Sequence, residues 1–336
     1  MSAVTPTSRK PKSSRVLSVA FVTLVVLGLA FCGLVYKAKT QHDLNRQLLA
    51  AVGRNDNVEA LAALANGADP NIRNLPDEPM SLWQQIQYAF HQGSQASAEY
   101  PTLLRMAVKP SDENPVVDTG NVELVKTLLE AGARPDAADD KQVTPLMTAA
   151  ENGRIEMAQL LLDHGANPQA RDNSGRLPIH HLSNDEKTAE LLVKHGTDVN
   201  AVDNAGKTAL MYCIDGEGSN PALVRFLLTH GTSVNLKAKD GTTALSLAAT
   251  YGDNAIQSLL EHGAAVDAID NAGDTPLTAC VTDYDAENVP AIVKVLIEHG
   301  ANVDYRNKAG ETALSLAKKH SYKETIRLLK AAGAKR

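Results

Sequence analysis

The sequence predicts an all-α solenoid of stacked helical hairpins, preceded by one membrane-spanning helix. Three observations support this prediction. A glycine that follows a pair of bulky aliphatic residues recurs along most of the 336-residue chain at a spacing near 33 residues. Each period contains two short segments of helical pattern, the first rich in small residues and the second in leucine. An uncharged apolar run lies near the N-terminus.

The recurring glycine defines the repeat. The steps between its copies are 65, 33, 31, 35, 32, 37 and 33 residues, and the copies are Gly67, Gly132, Gly165, Gly196, Gly231, Gly263, Gly300 and Gly333. A period in this range indicates stacked copies of one supersecondary unit rather than a single globular core. Such arrays usually present an extended surface to a partner.

Residues 144–167 illustrate the unit. Thr144 is placed to cap the first helix, and Pro145 occupies its first turn, where a missing N–H costs nothing. A second helix follows with leucines at 160–162 at core spacing. Gly165 is expected to end that helix in a left-handed conformation.

The motifs vary between copies. Thr-Pro-Leu opens at 144 and 275, Thr-Ala-Leu at 208, 243 and 312, and Leu-Pro-Ile-His at 177. This pattern resembles the ankyrin repeat, with its Thr-Pro-Leu-His-x-Ala signature. The resemblance covers roughly 44–336 in about eight copies, and it implies helix-turn-helix repeats joined by β-turn fingers.

Two insertions interrupt the array within its 65-residue step, near 74–99 and 109–118. The first contains a segment of helical pattern with Trp83, Tyr88 and Phe90. Trp and Tyr are enriched at binding hot spots, so we expect this segment to contact a partner. The alternative is a cover over the exposed end of the stack.

Residues 16–36 carry no charge and would form roughly 31 Å of helix, enough to cross a bilayer. We expect a signal anchor there, between a basic cytoplasmic tail at 1–15 and a tether at 37–46; cleavage or lipidation at Cys32 is the alternative. Four basic residues before the span against three after it favour a cytoplasmic N-terminus. The repeat domain would then be periplasmic in a bacterial inner-membrane protein.

The charge of the chain indicates which kinds of partner to expect, and the cysteine positions indicate the state of the thiols. Residues 1–40 have six basic and no acidic residues, so the remaining chain is acidic, and we expect no nucleic-acid partner. A basic partner surface would be electrostatically easier, although acidity also serves solubility. Cys213 and Cys280 occupy equivalent core positions two repeats apart and are expected to be buried free thiols.

The sequence contains no motif of a hydrolase, a metal site or a phosphate-binding loop, so we expect no enzyme, cofactor, metal or small-molecule substrate. Five histidines directly precede the repeat glycine, which indicates hydrogen bonding near a helix end. The adjacent pair His180 and His181 would diverge on a helix rather than ligate one metal. Asp139 and Asp140 are expected to be solvated charges.

The sequence therefore predicts a membrane-anchored binding module that holds a protein partner near the inner membrane. The alternative is an immunity protein that neutralises a periplasmic enzyme toxin. Besides the aromatic residues of the insertion, the expected partner contacts are exposed residues of the groove: Arg171, Asn173, His181, Tyr212, Lys239, Tyr251, Tyr284 and Arg306.

Overall fold

The computed structural model describes residues 33, 36–54, 56–72, 103–108, 119–183, 185–214, 220–251, 254–282 and 288–335. Within these residues the chain is helical, with one isolated bridge between Val202 and Thr208. The helices follow each other as eight consecutive pairs, numbered here repeats 1 to 8. The predicted all-helical repeat solenoid is confirmed for this part of the chain.

Each repeat has a first and a second helix. The first helices are 36–53, Leu103–Val108, Pro145–Glu151, the 3-10 helix Pro178–His181, Ala209–Ile214, Ala244–Tyr251, Pro276–Thr282 and Ala313–Lys319. The second helices are Asn57–Ala65, Thr119–Glu130, Ile155–Asp163, Glu186–Lys194, Pro221–Thr229, Ile256–Glu261, Val289–Glu298 and Lys323–Ala331. From repeat 2 to repeat 8, successive first helices lie against each other.

The start of the first helix depends on its cap. In repeat 3 the Thr144 hydroxyl accepts the N–H of Met147 at 3.2 Å, as predicted. Repeat 4 has Leu177 at this position, which offers no oxygen. Only the reverse bond remains there: Nδ1 of His180 accepts the Leu177 N–H at 3.0 Å, as Met147 Sδ accepts the Thr144 N–H in repeat 3, and the first helix is only one short 3-10 turn.

The second helices end as the sequence predicts. All eight recurring glycines are left-handed, with φ between 83° and 96°. In repeat 3, Gly165 N–H donates to Leu162 O and Ala166 N–H to Leu161 O, which satisfies the last carbonyls of the helix. The predicted role of the five preceding histidines is confirmed. Each ring donates from Nδ1 to the carbonyl four residues earlier, at 2.8 to 2.9 Å, in His164, His195, His230, His262 and His299.

The core runs continuously between the two helical rows. Adjacent leucines of the second helices differ in burial: Leu161 and Leu259 are fully buried, whereas Leu160 and Leu260 are half-buried. Cys213 and Cys280 are buried and free, as predicted. Burial raises the pKa of the Cys280 thiol to about 12, so this thiol stays protonated.

Repeats 1 and 2 are direct neighbours in space despite the long step between them. Asn71 Nδ2 donates to Gly132 O at 3.1 Å, and Arg134 N–H donates to Asn71 Oδ1 at 2.7 Å. The 65-residue step therefore joins two adjacent repeats. The predicted insertions 74–99 and 109–118, with Trp83, Tyr88 and Phe90, lie outside the described residues.

The N-terminal part of repeat 1 differs from expectation. Residues 36–53 are helical, so the expected extended tether at 37–46 is instead part of the first helix. Asn45 is buried there and accepts the Asp69 N–H at 2.8 Å, which docks this helix on the turn after Gly67. Among the described residues no helix is long and apolar enough to cross a membrane. Of the predicted span 16–36, only Gly33 and Tyr36 are described.

Candidate partner-binding face

A tight turn precedes each first helix, and we call it a finger. Fingers 3 to 8 carry the number of the repeat that follows them: 138–143, 171–176, 202–207, 237–242, 269–274 and 306–311. Each one is closed by a backbone hydrogen bond across the turn, as from Asp172 N–H to Arg176 O at 3.0 Å in finger 4.

An acidic or amide side chain holds most fingers from inside. In finger 4, Asp172 Oδ1 accepts the N–H groups of Ser174 and Arg176, at 2.8 and 2.9 Å. The same two bonds recur at Asp139, Asp203, Asp270 and Asn307. Finger 6 has Ala238 at this position, and there Asp240 accepts the Thr242 N–H.

The expectation that Asp139 is a solvated charge is wrong. Its side chain is buried, accepts two backbone N–H groups and forms an ion pair with Arg105. A short side chain at the base of a turn can replace a backbone acceptor, and this use removes it from solvent.

The fingers stack on each other through their backbones. Asn204 N–H donates to Ser174 O, and Lys239 N–H donates to Ala205 O, both at 2.8 Å. The contact leaves no space for a side chain: a Cβ on Gly241 would lie 2.8 Å from the backbone nitrogen of Asn271. The fingers therefore form a rigid row.

Most of the described candidate contacts are exposed, as predicted. They are Arg171, Asn173, Lys239, Tyr251 and Arg306. Two of them also bond to neighbouring fingers, because Arg171 Nη1 donates to Val202 O at 2.9 Å and Asn173 Nδ2 to Asp140 O at 2.9 Å. Tyr284 lies outside the described residues.

His181 and Tyr212 are less exposed than expected. The His181 side chain is 6% exposed, and its Nε2 lies 3.3 Å from Asp172 Oδ2 without the alignment of a hydrogen bond. The Tyr212 hydroxyl donates to Asp203 Oδ2 at 2.7 Å. Burial and this carboxylate raise the pKa of Tyr212 to about 12, so the phenol stays neutral. Both residues support the fingers from the first-helix side.

His180 and His181 are both neutral, and both ring nitrogens of His180 are hydrogen-bonded. Because Nδ1 of His180 accepts the Leu177 N–H, its proton is on Nε2, which donates to Ala201 O at 3.0 Å. Burial lowers the pKa of His180, and burial followed by the charge of Arg176 lowers that of His181. His180 has no lone pair left for a metal. In the described part of the chain, no group of three or more His, Cys, Asp or Glu could hold one.

Sequence reasoning missed several exposed finger residues. Lys237 and Lys308 are exposed cations, and Val202 and Ile269 are exposed aliphatic residues. Three of them could have been identified from their position in the repeat, because Val202, Lys237 and Ile269 each directly precede the residue at the base of their finger.

Comparisons with known proteins agree with this architecture. The family model described as three copies of the ankyrin repeat matches residues 116–203, 169–238 and 210–286, and a single-repeat model matches 272–308. A crystal structure of an ankyrin repeat domain from Acinetobacter baumannii AYE is 31% identical. It aligns over 57% of this chain and 98% of its own length, with a TM-score of 0.52.

Two curated relatives match over one shorter stretch. Potassium channel AKT1 of Oryza sativa subsp. indica and its counterpart of subsp. japonica are each 41% identical over 70 residues, or 20% of this chain. The chain spans only 8% of the length of these channels.

Proposed function

This chain belongs to the ankyrin-repeat family, and we propose that it holds a protein partner on its finger face, formed by fingers 3 to 8 and the adjoining first helices. Ankyrin repeats generally mediate protein–protein interaction, and the fold is generally not enzymatic. The proposal assigns that general role to a particular surface of this chain.

One observation supports the finger face above all: a constant framework carries varied side chains. The inward-facing bases of the fingers and the stacking backbone bonds repeat from finger to finger. The residue directly before the base varies, being Arg171, Val202, Lys237, Ile269 and Arg306 in fingers 4 to 8, and all of these are exposed. Side chains held at fixed positions bind with a smaller loss of conformational freedom.

We place this module at a membrane. The uncharged run 16–36 and the basic excess before it support an anchor with a cytoplasmic N-terminus and a periplasmic repeat domain. A helix that begins at or before Tyr36 and is already buried at Asn45 would keep repeat 1 close to the bilayer. A periplasm-active reporter fused after Arg336 is expected to be active; activity of a cytoplasm-only reporter there would reverse this topology.

A binding module accounts for the surface better than an inhibitor of a basic toxin does. The inhibitor hypothesis depends on an acidic surface facing the partner. The exposed cations Arg171, Lys237, Lys239 and Lys308 all lie on the fingers, which disfavours a basic partner at this face.

Affinity capture from native membranes tests the proposal. The bait is the full chain, compared with a finger-face variant, Lys239→Glu with Tyr251→Ala, and with a control variant, Lys187→Glu on a second helix. We expect one protein to be captured by the wild type and the control and to be lost with the finger-face variant. Equal capture by all three baits would remove the finger face from the proposal.

The aromatic insertion requires its own variant. A chain lacking residues 75–99 is expected to capture the partner more weakly, because Trp83 and Tyr88 are of the residue types that dominate binding energies. Unchanged capture would assign the insertion to covering the stack.

A further inference from the structure

The residue directly before each finger base forms an exposed row across fingers 4 to 8. We call this row the finger strip: Arg171, Val202, Lys237, Ile269 and Arg306. All five residues are exposed, and cationic and aliphatic side chains alternate along the row. Fingers 4 to 7 are joined by backbone hydrogen bonds, and the side chains of Asn307 and Lys308 join finger 8 to finger 7. The alternation is therefore a fixed pattern in space rather than only in sequence.

Three cations of this surface, Arg171, Lys237 and Lys308, are held by uncharged carbonyl groups. Arg171 Nη1 donates to Val202 O at 2.9 Å, and Lys237 Nζ donates to Ile269 O at 2.7 Å. Lys308, two residues after Arg306, donates in the same way to Asn271 O at 2.7 Å. A carbonyl carries no formal charge, so these bonds hold the side chains in place while their positive charge remains available to a partner.

Several cations on the helices behave differently. Arg54 pairs with Glu59, Lys294 lies 3.9 Å from Glu298, and Arg327 donates to Glu324 at 2.5 Å. These exposed pairs on the helices satisfy their own charge. In the finger strip, by contrast, Arg171 and Lys237 bond to uncharged carbonyls.

The aliphatic members of the strip are unusually exposed. Val202 and Ile269, at 39% and 41%, are two of the six large hydrophobic residues exposed in the described part of the chain. The backbone carbonyl of each accepts a hydrogen bond from the cation of the preceding finger, which is Arg171 for Val202 and Lys237 for Ile269. The two residues lie on alternate fingers, in one row with the cations.

We propose that the finger strip binds an extended acidic segment of a protein partner. Carboxylates of the segment would pair with Arg171, Lys237 and, at the finger 8 end, Lys308, and its apolar side chains would cover Val202 and Ile269. Stacked repeats are roughly 10 Å apart, so cations on every second finger are roughly 20 Å apart. An extended chain covers that distance in about six residues.

The inference rests on the proposed function and refines it by naming the chemistry of the partner. It also departs from the basic partner that the net charge suggested. Residues 41–336 contain all 39 acidic residues and 27 of the 33 basic ones, yet the acidic side chains at the bases of fingers 4 and 5, Asp172 and Asp203, are buried. Net charge therefore misstates the charge of this face.

A narrow acidic segment fits better than a broad polyanion. The same fingers carry Asp240, Asp274 and Glu311 beside the strip. A bilayer or a nucleic-acid duplex laid on the fingers would meet these carboxylates as well as the cations, which costs binding energy. A single extended chain can follow the strip alone.

Selection from a random peptide library tests the inference. Displayed peptides of about 15 residues, long enough to span fingers 4 to 8, are selected on the purified full chain in detergent. The strip variant is Arg171→Gln, Lys237→Gln and Lys308→Gln, in which the amide keeps a donor for the carbonyl. The control, Lys187→Gln, Lys294→Gln and Lys323→Gln, makes the same charge change on second helices. Thermal melting verifies that both variants fold.

We expect enrichment of acidic peptides whose Kd rises about tenfold in the strip variant and stays unchanged in the control. Their affinity should also fall as salt rises, because the strip is exposed. Enrichment of uncharged or basic peptides that Tyr251→Ala weakens would overturn the inference while leaving the proposed function in place. Acidic peptides that the two triple variants weaken equally would overturn the inference too.

Two further results would contradict the proposed function or the proposed class of partner. Peptides insensitive to every finger-face variant would contradict the proposed function itself. Sedimentation of the protein with phosphatidylglycerol vesicles, lost in the strip variant and retained in the control, would assign the strip to a membrane surface instead.

Discussion

The finger layer and the helical layer of this solenoid are held together by different forces. Fingers stack through backbone hydrogen bonds, and where they touch a glycine leaves no room for Cβ, as at Gly241. Helices stack through apolar side chains such as Leu161 and Leu259. The finger layer therefore restricts the backbone but leaves its outward side chains free to vary, whereas the helical layer restricts the side chains themselves. A surface that can change while its position stays fixed suits recognition.

The substitution with the largest expected effect disrupts the packing of the helical layer. Leu259→Asp places a charge at a fully buried position of the core and should cost about 3–5 kcal/mol, because a buried carboxylate loses its hydration. The neighbouring Leu260→Asp should cost much less, since that side chain is half-buried. The urea midpoint of unfolding measures both variants. Equal shifts would contradict the assignment of Leu259 to the centre of the core.

A matched pair of glycines compares the two layers directly. Gly241 in a finger and Gly263 at a helix end share φ +83°, but only Gly241 has backbone atoms within 3 Å of a Cβ position. Gly263→Ala should cost about 1–2 kcal/mol for the left-handed conformation alone. Gly241→Ala should cost about 1–3 kcal/mol more, because the next finger must move. Calorimetric unfolding tests this, and similar losses for the two variants would mean that the fingers are not tightly stacked.

A pair of histidines tests the junction between the layers. His180 is buried and joins Leu177 N–H to Ala201 O, so His180→Ala leaves both groups unsatisfied and should cost about 2–3 kcal/mol. His262 makes one exposed bond to Ser258 O, and His262→Ala should cost about 1 kcal/mol or less. If thermal melting ranked the two in the opposite order, the His180 link between Leu177 N–H and Ala201 O would not stabilise this junction.

The smallest effect concerns pH. Burial lowers the pKa values of His180 and His181, so the folded chain takes up protons less readily than the unfolded chain. Their contribution to stability is fully present above about pH 6.5 and is lost as pH falls below it toward the folded values. We expect Tm to fall between neutral pH and about pH 5.5, and to fall less steeply in His180→Asn. The same slope in both proteins would contradict neutral burial of His180.

The sequence was most informative where a local rule acts alone. Thr144 as a cap, the left-handed glycine after each second helix and the histidine before it depend on backbone groups a few residues away, so a repeat spacing is enough to predict them. It was less informative for Leu160 and Leu161, because both fit the apolar pattern and only the packing of the next repeat decides which one is buried.

The finger face was predicted in part. Arg171, Asn173, Lys239, Tyr251 and Arg306 are exposed as expected, since residues at turns and helix ends usually are. His181 and Tyr212 are less exposed than expected. His181 ends the short 3-10 helix of repeat 4 and lies beside the buried Asp172, and Tyr212 is hydrogen-bonded to the buried Asp203. Each of these contacts joins a finger to the first helix that follows it, and the sequence does not contain the distance between the two.

Site-specific photocrosslinking in native membranes tests the central claim most directly. A photoreactive side chain is placed at Asn204, Lys239 or Lys308 on the fingers, and at Lys187 or Lys294 on the second helices as matched exposed controls. We predict that the finger positions crosslink to one common protein and that the helix positions do not. Crosslinking of that protein from the second helices alone would contradict the account.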